Sequence, residues 1–120
     1  MAGKVVINLA TGLEDAERVT VAFLVATAAQ GQGKQVIVWA TQEAVRLGLP
    51  GHATGTHCNG CPPLESLFEQ FRDAGGELWL CPICVTAREL EDEEKVANVK
   101  IAGATPMWEW AGDDATVFSY

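Results

Sequence analysis

The sequence predicts an α/β domain built on a parallel sheet. Short β-branched runs alternate with helix-length segments along the whole chain, and glycines or prolines mark most of the joints. Its 120 residues suit one compact domain, read here as residues 1–120, and 48% apolar content suits a packed core.

Taken in order, Lys4-Val5-Val6-Ile7-Asn8-Leu9 has the composition of a buried parallel strand. Thr11 and Glu14 follow with capping-box spacing, ahead of a helix from about Asp15 to Gln30 that Gly31 and Gly33 end. Gln35 to Ala40 is the second strand, and Thr41 caps a short helix to about Leu47. Residues 50–63 form the longest irregular stretch, of a length usually reserved for function. Leu64 to Ala74 carries Leu64, Leu67, Phe68 and Phe71 on one helical stripe. Glu77 to Leu80 is the third strand and runs directly into Cys81. A short helix is expected from Pro82 to about Glu89, then an acidic helical segment to about Val96. Asn98 to Ile101 reads as the fourth strand, Ala104 to Ala111 as a helix, and Ala115 to Ser119 as the fifth strand. Strands and helices in this alternation fold into a parallel sheet covered on both faces.

The formal net charge is −8. Such a surface repels phosphate backbones, which argues against nucleic acid or an anionic membrane as partner. The acidic run at Glu89, Glu91, Asp92, Glu93 and Glu94 is read as a solvated helix face. No apolar run approaches the roughly 18–20 residues that cross a bilayer, and the first residues lack signal-peptide character. The expectation is a cytoplasmic protein. Four cysteines in a reducing compartment point to catalytic, redox or metal chemistry before a structural disulfide framework.

Two C-x-x-C pairs carry that chemistry. In Cys81-Pro82-Ile83-Cys84, Cys81 falls at the expected N-cap and Pro82 at the first helical position, where proline is favoured. Cys84 then lies in the first turn. Unpaired backbone N–H groups there favour an anion, and the thiolate is the reactive form of cysteine. The carboxyl edge of a parallel sheet is also where open α/β folds bind ligands. The two sulfurs are placed to form a disulfide, or to resolve a persulfide on the partner. The second pair, Cys58-Asn59-Gly60-Cys61, lies in the long loop. Together they read C-x2-C-x19-C-x2-C, inside the range for a four-cysteine zinc site made by Cys58, Cys61, Cys81 and Cys84. His52 and His57 flank the loop pair as substitute ligands. The competing reading is that free cysteines serve as small buried hydrophobes.

Weaker candidates complete the set. Thr11-Gly12 can offer N–H groups to an anion, although no nucleotide fingerprint is present. Arg88 can steer anionic substrates toward the cysteines or pair with a neighbouring acid. Trp39, Trp79, Trp108 and Trp110 are read as core or subunit-interface aromatics.

The opening Val5-Val6-Ile7-Asn8-Leu9-Ala10-Thr11-Gly12, the Gly-Gly-x-Leu-Trp-Leu-Cys-Pro-x-Cys run from Gly75, and Ala102-Gly103-Ala104 resemble the DsrE/DsrF-like family over nearly the whole chain. The resemblance implies a flavodoxin-like three-layer domain with a five-stranded parallel sheet, assembled as a homo-oligomer. In sulfur-relay members the sulfur-accepting cysteine follows the same strand, which makes Cys81 the persulfide-bearing thiol. Donor and acceptor proteins would be its partners, and no cofactor is required, while the cysteine spacing leaves room for zinc. The chain departs from relay subunits in carrying Cys58 and Cys61 and in lacking paired arginines after the relay cysteine, keeping only Arg88. Three readings therefore stand: a sulfur carrier, a zinc-held structural module, and a dithiol oxidoreductase using Cys81 and Cys84.

Overall fold

The computed structural model describes residues 3–120. Five strands, β1 (Lys4–Leu9), β2 (Gln35–Ala40), β3 (Glu77–Leu80), β4 (Val99–Ile101) and β5 (Ala115–Ser119), form one sheet in the order β4-β3-β2-β1-β5. Every pairing is parallel. The strand boundaries follow the apolar runs closely, and most of those runs are β-branched.

The helices are α1 (Ala16–Gly31), α2 (Leu64–Asp73), α3 (Pro82–Ala87) and α4 (Ala104–Ala111). Their placement follows from the strand order. Steps from β1 through β4 all run in one direction, so right-handed crossovers put α1, α2 and α3 on the same face. The step from β4 to β5 runs the other way, and α4 covers the opposite face alone. Two cores result. The larger joins Ile7, Leu9, Val38 and Leu80 of the sheet to Phe23, Leu64, Leu67, Phe71 and Val85 of the helices. The smaller joins Val6, Ile37 and Trp79 to Met107 and Ala111. This is the flavodoxin-like three-layer arrangement, with one thick helical layer and one thin one.

Three expectations need correction. Thr11 does not cap α1. A 3-10 turn at Leu13–Asp15 delays the helix, so Asp15 is the cap, accepting from the Arg18 N–H at 3.1 Å. The short helix after Thr41 is present, as a 3-10 helix over Gln42–Gly48 with Thr41 at its N-cap position, but the Thr41 side chain makes no capping hydrogen bond. The acidic stretch after α3 forms turns. Glu89 takes a left-handed backbone (φ 55°) that stops α3, and four consecutive acids at Glu91 to Glu94 repel one another in any helix. Lys95 instead gathers the carbonyls of Leu90, Glu91 and Glu93 with its ammonium group.

Candidate functional site

The carboxyl edge of the sheet collects most of the residues singled out by sequence. Cys81 extends β3: its N–H donates to the Ala40 carbonyl at 3.0 Å, and on the other side of the strand the Ala102 N–H donates to the Leu80 carbonyl at 3.0 Å. Cys81 is therefore flanked by the chain leaving β2 and the chain leaving β4. It is the N-cap of α3, with Pro82 at the first helical position, as the sequence predicts. Proline contributes no N–H, and the Cys81 carbonyl accepts from Val85. The N–H groups of Ile83 and Cys84 are left without partners inside the helix. With only six residues, α3 supplies little dipole, so any support for an anion at Cys81 comes from those local groups. Both Cys81 and Cys84 are free thiols at intermediate exposure. Cys84 packs against the larger core, whereas Ile83 between them is exposed. Gly103, at the start of α4, lies across from Pro82, and a Cβ there would sit 3.8 Å from the Pro82 ring.

Arg88 does not face the thiols as a free charge. Its Nε pairs with the Glu43 carboxylate, and its Nη1 donates to the Cys84 carbonyl at 3.2 Å. Arg46 holds the other Glu43 oxygen at 2.9 Å. The Arg88 guanidinium first, and that of Arg46 second, keep the Glu43 carboxyl below its ordinary value of 4.5. Arg88 thereby ties the end of α3 to the segment after β2 and fixes the helix that carries Cys84.

Thr11 and Gly12 reach the same edge but are already engaged. The Thr11 hydroxyl donates to the Tyr120 carbonyl, and the Gly12 N–H donates to Glu14 Oε1 at 2.8 Å. A carboxylate of the chain itself thus fills the anion position that the sequence offers to a substrate. Gly12 is required there for a different reason, since a Cβ would lie 2.7 Å from the Glu43 carbonyl oxygen. Gln42, beside Glu43, adopts a left-handed backbone (φ 55°), a conformation that concentrates at functional turns.

Glu43 is the residue that sequence reasoning missed. Its signal was positional: an acid just beyond the carboxyl end of β2, on the same edge as Cys81. Its partner in α3 is far away in sequence.

The second pair stands apart. Cys58 and Cys61 are joined as a disulfide with a Cα–Cα distance of 5.1 Å. Their loop folds back on α2, with the Leu64 N–H donating to the Thr56 carbonyl. Among the described residues no group of three or more His, Cys, Asp or Glu side chains is placed to hold a metal ion. The C-x2-C-x19-C-x2-C spacing therefore does not gather Cys58, Cys61, Cys81 and Cys84 into a tetrathiolate here, nor does His52 or His57 complete one. Partial burial, then the nearby Arg46 charge, push the His52 imidazole below its ordinary 6.5.

A parallel α/β sheet with free cysteines on the turn after an inner strand defines a small thiol protein. The chain belongs to the DsrE/DsrF-like family, whose model matches residues 3–120. Solved structures of similar fold include the ychN protein from E. coli, at 16% identity, covering 100% of both chains with a TM-score of 0.78. The protein of unknown function MTH1491 from Methanobacterium thermoautotrophicum is 12% identical over 96% of this chain and 98% of its own, with a TM-score of 0.71. BT1422 from Bacteroides thetaiotaomicron, also of unknown function, is 16% identical over 98% and 95%, with a TM-score of 0.59. At these identities the likeness is one of fold. No curated protein matches the sequence. Among the described residues no helix is long and apolar enough to cross a membrane.

Proposed function

We propose that this chain is a sulfur carrier that holds sulfane sulfur as a persulfide on Cys81. The observation that carries the reading is the free thiol of Cys81 at the carboxyl end of β3, with a second free thiol three residues on in the same short helix. Membership of the DsrE/DsrF-like family supports it.

The chemistry is thiol exchange. The Cys81 thiolate attacks the outer sulfur of a donor persulfide, the donor S–S bond breaks, and the donor leaves as its thiolate. An acceptor thiolate then attacks the outer sulfur on Cys81, taking the sulfur and returning Cys81 as thiolate. Cys84 provides a second exit. Its thiolate attacks the inner sulfur, a Cys81–Cys84 disulfide forms, and hydrosulfide departs with the electron pair. Donor and acceptor are proteins bearing reactive cysteines in this reading. Exposed Val117 and Phe118 on β5 and Trp108 on α4 offer apolar surface for the homo-oligomer expected of the family.

The test is persulfide loading from a small persulfide donor, read by intact-mass analysis as a gain of one sulfur. Cys81→Ser should lose loading, while Cys84→Ser should load normally and release hydrosulfide more slowly. Loading of Cys81→Ser at the wild-type rate would sink the proposal. So would about one zinc per chain with protected thiols in protein purified without chelator, which would restore the closed metal site.

A further inference from the structure

A cavity of about 130 Å³ opens on the thick layer, away from Cys81 and Cys84, neither of which lines it. Its body is apolar, formed by Phe23 of α1, Leu47, Phe68 of α2 and Leu78 of β3. A dry cavity of about 150 Å³ holds a benzene ring, so the space suits a ligand of about that size. Helices α1 and α2 and strand β3 supply much of the lining, joined by Val96 and Asn98 ahead of β4. Another part is the loop wall Gly51 to Thr54, held by successive turns in which His52 donates to Leu49, Thr54 to Gly51 and Thr56 to Ala53. Beyond that wall the chain is clamped by the Leu64–Thr56 hydrogen bond and the Cys58–Cys61 disulfide before it enters α2. These bonds hold the loop wall against the cavity, and ligand sites are usually largely preformed.

The mouth decides what kind of ligand fits. Exposed Glu65, Glu69 and Arg72 of α2 and half-buried His52 surround it. The Arg72 guanidinium is taken by Asp73, through Nε at 3.2 Å and Nη2 at 3.1 Å. Glu65 and Glu69 enter none of the ion pairs among the described residues. They stand four apart on one helical face and present their charge side by side. Burial and Arg46 favour the neutral form of His52, so it adds an imidazole, not a cation. The mouth is left with negative charge over an apolar interior.

We infer that this cavity is a binding site for a small apolar ammonium: a ring or branched chain of about benzene size that enters the interior, with one cationic amine held at Glu65 and Glu69. The site is independent of Cys81 and Cys84 and of their chemistry.

Amide and methyl NMR spectra of the intact protein, titrated with benzylammonium, test the assignment. The expected result is saturable shifts confined to Phe23, Leu47, the 51–54 wall and α2, with benzoate giving none at the same concentrations. The double variant Glu65→Gln/Glu69→Gln replaces exposed side chains and retains the fold; it should weaken benzylammonium about fivefold, the scale of partly exposed ion pairs. Benzylammonium that moves no cavity resonance overturns the inference. Equal binding of benzoate, or unchanged affinity in the double variant, overturns the assignment of a cationic ligand.

Discussion

The two C-x-x-C pairs share a spacing and almost nothing else. Cys81 and Cys84 sit where a strand becomes a helix, and the backbone there is fixed by the β2 and β4 ladders, by Pro82 and by the Arg88–Glu43 pair. Cys58 and Cys61 sit in a turn, where Cys61 N–H donates to the Cys58 carbonyl at 3.0 Å and the two sulfurs close a small ring. One pair is held by the fold and keeps its thiols. The other helps to hold a loop and gives its thiols up. Spacing brings two sulfurs within reach of each other; the secondary structure beneath them sets what they are used for.

The sharpest way to break this contrast is to exchange the roles. Cys58→Ser/Cys61→Ser should leave persulfide loading at the wild-type level, against the complete loss expected for Cys81→Ser. The same double variant should cost about 1–2 kcal/mol of stability, the chain-entropy scale for so short a closed loop, with faster hydrogen exchange confined to residues 50–63. Loading that falls with the loop pair would mean that the two pairs act together.

Next in size is Gly12→Ala. Its Cβ would press on a backbone carbonyl that cannot move without displacing Glu43, so the expected cost is about 1–3 kcal/mol by chemical denaturation. Loading should slow as well, since Glu43 anchors Arg88 and hence α3. A stability loss with an unchanged loading rate would detach that anchor from the thiol site.

The smallest effect separates the two regions by pH. Glu43 is held below 4.5 by its arginines, so its contribution is present above that value and is lost as pH falls through its lowered folded-state pKa. His52 is also depressed, and its folded environment favours the neutral form. Its contribution is present above 6.5 and is lost as pH falls below it. Acidification should therefore loosen the 51–54 wall first and the α3 anchor afterwards, followed by hydrogen exchange at each pH. Arg88→Ala should reduce the second step, which Arg46 also sustains, and His52→Gln should remove the first.

Much of the fold was legible because its signals are local. β1, β2, β3 and β5 are continuous β-branched or apolar runs, and α4 begins after Gly103 and ends before Gly112. The turn at Cys81 was legible for the same reason, from a strand, a cysteine and a proline in succession. What escaped depends on distant or cumulative effects. Glu43 acquires its role only when β2 and β3 lie side by side and bring Arg88 to it. The segment after Glu89 has helical composition, yet its charges oppose helix and Lys95 offers its carbonyls another partner. The separation of the two cysteine pairs is likewise a property of how the long loop folds, which no spacing encodes.

The division of the sheet into a thick and a thin layer has an optical consequence. Trp79 of β3 and Trp110 of α4 meet at 6.3 Å, Trp39 packs on the same small core, and Trp108 is exposed on α4. The aromatic cluster under α1 and α2 consists of Phe23, Phe68 and Phe71. Tryptophan emission in this protein is therefore a one-sided gauge: it reports the detachment of a single eight-residue helix and stays largely blind to events in the layer that carries the cavity.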